Sequence, residues 1–290
     1  MRIDLNGKWQ LFVDDEWIPA DVPGEAQLAL VKDPYVGMGM EKLRKYEFYD
    51  WVYKREFVID GLPSETAYIV FEAVDCVAEY YLNGALIGKS DNAMIPHEFD
   101  VTDYIKLGAN EIKVCIFSPI LEAAKLADKY TAVQSAQQGC YEGLNLRRPM
   151  SSYGWDILCR AVTSGIWRDV YVEYRPHNRI KQLYITTNAI NNSGASLNVS
   201  YQIQTNIPEY KDLALKIEIF DGETIVCTHT QTIWFVTGAF GIWFDGCKLW
   251  WPRGYGDAHI YNVRAALLYG SKELDITTSV LGVRTVELKR

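Results

Sequence analysis

Short runs of alternating apolar and polar residues, cut by turn-forming dipeptides, fill the first half of the chain. Tyr53 to Ile59, Ala67 to Phe71 and Glu111 to Phe117 are rich in β-branched and aromatic residues, as strands with one face in a core require. Tyr80-Tyr81-Leu82 runs into Asn83-Gly84 and then Ala85-Leu86-Ile87. Asn-Gly between apolar runs predicts a two-residue hairpin turn, because both central positions need positive φ. Asp100-Val101-Thr102 and a turn over Leu107 to Asn110 follow. A helical spacing covers Pro119 to Asp128, through Ile120, Leu121, Ala124, Leu126 and Ala127, with proline in the first turn. The stretch from Tyr130 to Ser152 breaks the rhythm and reads as a long loop, of the kind that carries function or lacks order. Many short strands at near-regular spacing predict a jelly roll or sandwich.

Strand patterns resume at Asp169 to Tyr174, and Arg175-Pro176-His177-Asn178 reads as a linker. Beyond it come Ile180 to Thr186, Ser196 to Gln204, Leu215 to Phe220, a hairpin turn at Asp221-Gly222, Glu223 to Thr232, Tyr261 to Tyr269 and Glu273 to Leu281. Roughly seven strands at this spacing predict an immunoglobulin-like sandwich. The Cys–Trp–Cys pattern of antibody domains is absent, so the likeness is of architecture. The expectation is an all-β chain, with a jelly-roll (galactose-binding-domain-like) sandwich over 1–176 and an immunoglobulin-like sandwich over 177–283.

Composition narrows the partners. With 290 residues, 49% hydrophobic and 23% charged, the chain has the material for two cores. Its formal charge is −8, 37 acids against 29 bases, and no basic stripe appears, which argues against nucleic acid and an anionic membrane surface. No apolar run reaches bilayer length, and Met1 to Trp9 lacks a signal-peptide core. The expected location is cytoplasmic if Met1 is native, and unknown if a leader was removed. The six cysteines (76, 115, 140, 159, 227, 247) and His97, His177, His229 and His259 show no ligand spacing, so neither metal nor cofactor is expected. Cys76 and Cys115 are expected to be buried free thiols. The sequons at Asn191 and Asn198 read as chance matches. Nine Trp and nineteen Tyr fill cores, and such rings also suit stacking on sugars.

A set of segments then carries a resemblance. Val22-Pro23-Gly24 with Leu28, Asp33-Pro34-Tyr35-Val36-Gly37, and Asp50-Trp51-Val52-Tyr53-Lys54-Arg55-Glu56-Phe57 come first. Phe71-Glu72-Ala73-Val74-Asp75, Tyr81-Leu82-Asn83-Gly84 and Phe99-Asp100-Val101-Thr102 follow. After them come Tyr153-Gly154-Trp155-Asp156 and Ser164-Gly165-Ile166-Trp167-Arg168. The second half adds Leu249-Trp250-Trp251-Pro252-Arg253-Gly254-Tyr255-Gly256 and Leu281-Gly282-Val283-Arg284-Thr285-Val286. In this order they resemble family 2 glycoside hydrolases, the β-mannosidase branch most closely. The resemblance implies a third domain, a (β/α)₈ barrel, with residues 284–290 as the start of the link to it. It implies that the two carboxyl groups a retaining glycosidase needs come from that barrel. The chain is therefore expected to be a non-catalytic fragment whose partners are its own barrel and a terminal β-linked sugar.

By resemblance, the loop at 153–157 helps to shape the sugar pocket. Trp155 would wall the terminal sugar and Asp156 would accept hydrogen bonds from its hydroxyls, a carboxylate being the stronger acceptor. The plainer reading is a core tryptophan and a solvated aspartate. Arg147 would hold Asp156 or a sugar hydroxyl, or lie solvated. Asp50, Trp51 and Glu41 are weaker candidates. Asn110-Glu111 spells the family's acid/base dipeptide, but it enters a strand a domain too early and reads as structural. Trp250-Trp251-Pro252 reads as packing and domain docking, and Arg284 as orienting the crossing into the barrel. Ile157-Leu158-Cys159 replaces the branch's Trp-Gly-Pro, and Asn92-Ala93-Met94-Ile95-Pro96-His97 is closer to β-galactosidases and β-glucuronidases, which leaves those parents as alternatives. A stand-alone carbohydrate-binding module and a sandwich scaffold are the competing classes. Loss of the barrel would uncover apolar surface and allow a dimer.

Overall fold

Period-two patterning decides the architecture. A computed structural model describes residues 2–33, 39–62, 65–127, 141–154, 156–157 and 159–288. Strands are numbered in chain order. The chain divides into two compact units, Met1–Arg175 and Pro176–Arg290.

In the first unit a six-stranded antiparallel sheet runs β3 (Glu16–Val22), β2 (Gly7–Val13), β5 (Trp51–Ile59), β10 (Gly108–Ile116), β7 (Val77–Leu82), β8 (Ala85–Asp91). A four-stranded sheet runs β1 (Arg2–Asp4), β12 (Val170–Arg175), β6 (Thr66–Phe71), β9 (His97–Asp100). This is the expected jelly-roll sandwich, though the strands before residue 23 were not among the segments read from the sequence. On β10, Ile112, Val114 and Ile116 point inward and are fully buried, against Tyr53 and Trp51 of β5. The Asn83-Gly84 turn has positive φ at both residues, 52° and 84°, as its sequence demands. Cys76 is buried, and burial pushes its thiol up to about 12. Cys115, expected inside, is half-buried, because alternation on β10 turns it outward.

Asn110 is 2% exposed. Its Oδ1 accepts from Lys106 N and Asn83 Nδ2, and its Nδ2 donates to the Lys106 and Gly108 carbonyls. The side chain thus fastens the turn that enters β10. Helix α1 is Gly39–Leu43 and α2 is Pro119–Ala127.

The second unit is a three-plus-four sandwich of antiparallel sheets, immunoglobulin-like as expected. One sheet runs β13 (Arg179–Ile190), β14 (Gly194–Gln204), β17 (Thr237–Asp245). The other runs β16 (Thr224–Thr232), β15 (Leu213–Asp221), β18 (Tyr261–Tyr269), β19 (Lys272–Leu281). Leu197 and Val199 face Leu215, Ile217 and Ile219 across the core. The β15–β16 turn is centred one residue later than its sequence suggested. Asp221 pairs with Thr224, leaving Gly222-Glu223 as the turn, with Gly222 at φ 62°. Strand β17 is the one the patterning did not announce. Trp250 donates its backbone N–H to Val283 O, and the Arg284 guanidinium lies 4.4 Å from its ring centroid, while Trp251 stays 46% exposed.

Candidate functional site

The described residues of 141–164 form no named strand, and besides a few backbone bonds, such as Ala93 N–H to Arg147 O, side chains hold this segment in place. The sequence puts three arginines there, and each meets an acid from the surrounding framework. Arg148 Nη2 lies 2.9 Å from Asp75 Oδ2, just beyond β6, and also donates to Thr163 O at 2.9 Å. Arg160 grips both oxygens of Glu47, in the 3-10 turn Arg44–Phe48, through Nε and Nη2 at 2.8 to 3.0 Å. Arg147 Nη1 lies 2.8 Å from Asp91 Oδ2 at the end of β8. These pairs differ in weight. Both side chains of Arg147–Asp91 are well exposed, 65% and 70%, so that pair contributes ~0–1 kcal/mol. Asp75 and Arg148 are buried, so removing either strands a charge. The buried Tyr153 ring lies 5.1 Å from the Arg148 guanidinium and 5.6 Å from that of Arg160.

The stem of the loop is closed by Ala161 N–H donating to Ser152 O at 2.9 Å, and Gly154 N–H donates to Ser151 O. Gly154 has φ 95°, a conformation that other residues adopt only with strain. Asp156 and Ile157 are exposed on this braced loop, Ile157 at 85%.

Beneath it, β4 (Gly24–Glu25) pairs with β11 (Gly165–Ile166). A Cβ on Gly165 would sit 2.4 Å from Gly24 O, so only glycine allows this approach. Gln27 Nε2 donates to Val162 O, and Ser164 N–H donates to Gln27 Oε1. Glu25, Asp75, Arg148 and Tyr53 form a polar cluster here. Glu25 Oε2, Asp75 Oδ1, Arg148 Nε and Nη1, and Tyr53 OH are sealed from solvent with no hydrogen-bond partner among the described residues. Burial, reinforced by the Asp75 charge and offset in part by Arg148, pushes the Glu25 carboxyl up to about 7. Burial also raises Asp75 against the pull of Arg148. A cavity of 210 Å³ adjoins the cluster, lined in part by Glu25, Gln27, Glu47, Arg160 and Val162.

The sequence candidates separate accordingly. Trp155 lies outside the described residues. Asp156 is exposed at the tip. Arg147 is near in sequence, but its guanidinium is on Asp91 rather than on Asp156. Trp51 is a core residue, 1% exposed and packed against Tyr46 and Tyr49, and has no free face for a sugar. Asp50 Oδ1 accepts the Ser118 N–H at the entry to α2, which gives it a structural task. Glu41 is exposed on α1. Sequence reasoning missed Glu25, Glu47, Asp75, Arg148 and Arg160. The available signal was three loop arginines in an acidic chain, but their partners lie 56 to 113 residues away, where no local spacing reveals them.

Comparison with known proteins adds what geometry does not. Residues 9–168 match the glycosyl hydrolase 2 galactose-binding domain-like family, and 178–284 match glycosyl hydrolases family 2. A β-mannosidase B of Thermothelomyces thermophilus is 30% identical over 267 residues, 89% of this chain and 30% of that protein. The β-mannosidase of Bos taurus is 28% identical over 320 residues, 99% of this chain and 35% of that protein. The crystal structure of a β-D-mannosidase from Dictyoglomus thermophilum superposes with a TM-score of 0.83 at 29% identity, over 99% of this chain and 37% of that one. A Bifidobacterium dentium β-glucuronidase, 22% identical with a TM-score of 0.69, shares the fold over 100% of this chain and 49% of its own. The chain thus spans 30% to 35% of the length of these curated relatives.

Proposed function

The chain belongs to glycoside hydrolase family 2, and from that premise we propose that it forms the front two domains of a longer retaining exo-β-glycosidase of the β-mannosidase kind. The observation that carries this reading is the likeness to β-mannosidases across both units, with 29% identity and a TM-score of 0.83 to one solved example. In the whole enzyme a catalytic barrel supplies the acid/base and the nucleophile, about 5 Å apart. Glu25 and Asp75 are unsuited to that work. Asp75 is buried against Arg148, and Glu25 Oε2 is sealed, so neither is placed to reach a glycosidic oxygen.

In this reading Asp156, exposed on the braced loop, accepts hydrogen bonds from hydroxyls of the terminal sugar, and Trp155, its neighbour in sequence, belongs to the same sugar site. The groove of 590 Å³ lined by Trp250, Trp251, Tyr255 and Val286 would dock the barrel, and alone would support weak self-association. Two measurements test the proposal. Calorimetric titration of this chain with mannose, galactose and glucuronate should give no heat of binding, whereas millimolar or tighter affinity points instead to a self-sufficient binding module. The reading frame continuing past Arg290 should encode a barrel with Asn-Glu at one strand end and a second Glu at another; a frame without them removes the basis of the proposal.

A further inference from the structure

The two outer faces of the second unit differ sharply in chemistry. On the four-stranded sheet the outward positions form a chain of ions. Lys216 Nζ lies 2.6 Å from Glu218, Arg264 Nη1 lies 2.9 Å from Glu218, and Arg264 Nη2 lies 2.8 Å from Glu273. That is how a solvated sheet face is ordinarily built. The three-stranded sheet is built differently between its end rows, which carry Arg179 and Asp245. Its register sets four successive cross-strand rows facing outward, from Gln182–Gln202–Thr237 to Ala189–Ser196–Trp243. Between them lie Tyr184–Ser200–Ala239 and Thr186–Asn198–Gly241. None of these four rows carries a charge, in a chain whose residues are 23% charged.

The shape is also particular. The middle of the face is built from small side chains: Ser196, Asn198 and Ser200 on β14, Ala239 and Gly241 on β17. A Cβ added at Gly241 would meet nothing nearer than Leu197 O at 3.9 Å, so the space above is open. Asn198 Nδ2 donates to Ser200 Oγ at 3.0 Å, which orients the amide within the floor. A large ring stands at each end, on opposite edge strands: Tyr184, 69% exposed, and Trp243, 48% exposed. The rings lie four residues apart along the strands and two strands apart across them, a diagonal of about 16 Å.

We infer that this face is a carbohydrate-binding surface for a neutral, linear oligosaccharide laid across β14 between Tyr184 and Trp243. A pyranose ring has one flat C–H face and a rim of uncharged hydroxyls. An exposed indole or phenol ring matches the first, and serine, threonine and amide side chains match the second without a charge to be desolvated. A nucleic acid or acidic glycan would need cations that these four rows lack. A diagonal of this length engages several linked sugars, so a single sugar reaches only one ring and gains little.

The test is native electrophoresis of the 290-residue chain through gels containing soluble galactomannan, xylan or hydroxyethyl cellulose, with calorimetry on manno- and cello-oligosaccharides. At least one neutral polysaccharide retards the chain, and the matching hexaose binds while its monosaccharide does not. Trp243→Ala and Tyr184→Ala each weaken binding at least tenfold. Gly241→Asn, which keeps both rings and fills the floor, weakens it as well. Glu273→Gln, on the opposite charged sheet, leaves it unchanged, which ties binding to this face. Circular dichroism of each variant shows whether the sandwich is intact. The inference is overturned if no neutral polysaccharide retards the chain. It is equally overturned if Trp243→Ala and Tyr184→Ala bind as the parent does, or if they alter only the sedimentation mass, which would make the face a contact between copies.

Discussion

Glu25 shows how one residue sets a condition on the whole unit. Its carboxyl is held up at about 7 against an ordinary value of 4.5, chiefly by burial and then by Asp75. The folded state therefore holds this proton more tightly than the unfolded chain does. Stability is full below about pH 4.5, falls as pH rises between 4.5 and 7, and levels off above 7. Glu25→Gln removes the charge and keeps the shape. The difference between variant and parent should be near zero at pH 4 and reach at most about 3 kcal/mol in favour of the variant at pH 8, by urea unfolding. A difference independent of pH would mean that Glu25 does not titrate across this range. Asn110 and Glu111 make the complementary case. Asn110→Ala strands the Lys106 and Gly108 groups and costs about 1–3 kcal/mol. Glu111→Gln should change stability by less than about 0.5 kcal/mol. If instead Glu111 mattered and Asn110 did not, the reading of this dipeptide as turn chemistry fails.

At the scale of elements, strands with a one-sided core were legible because alternation is local. Ile112, Val114 and Ile116 state the inner face of β10 within five residues of sequence. Strand β17 escaped notice because Gly238, Ala239 and Gly241 dilute an alternation that Phe240, Ile242 and Phe244 do carry. Trp51 stays a weaker candidate in the sequence because a ring is visible there but not the Tyr46 and Tyr49 rings that pack against it. The interruption read over Tyr130 to Ser152 covers only the first part of the segment 141–164, and the bracing is not legible locally, since the Arg147, Arg148 and Arg160 pairs with Asp91, Asp75 and Glu47 each span more than fifty residues. The bracing makes its own prediction. Arg148→Ala leaves Asp75 buried and unpaired, and should cost about 3–5 kcal/mol. Arg147→Ala should cost no more than ~1 kcal/mol, since its pair is exposed. Hydrogen exchange should quicken across 146–164 in the Arg148 variant before it quickens in β10. Equal costs for the two arginines would mean that the buried pair does not hold the loop.

For the molecule as a whole, the question is which parts of this chain the proposed glycosidase uses for chemistry and which for support. Asp156 sits at the tip of a loop whose base is fixed by Arg148, Arg160 and the Ser152–Ala161 bond. A fixed base limits the entropy lost when a sugar hydroxyl meets the carboxylate, so little of the bond's strength is spent on ordering the loop. A hydrogen bond to a charged acceptor is worth about 1.5–3 kcal/mol. In the longer enzyme, Asp156→Asn should therefore lower kcat/KM on an aryl β-mannoside by about tenfold to a hundredfold. If the bond forms equally in ground and transition states the loss falls on KM; if it strengthens as the ring flattens, kcat falls with it. Glu25→Gln, deeper in the same unit, should alter stability and its pH dependence but leave kcat/KM within about twofold. Support and chemistry then separate by measurement. An Asp156→Asn enzyme as active as the parent would remove this loop from the sugar site and leave the chain with a purely structural part in the enzyme.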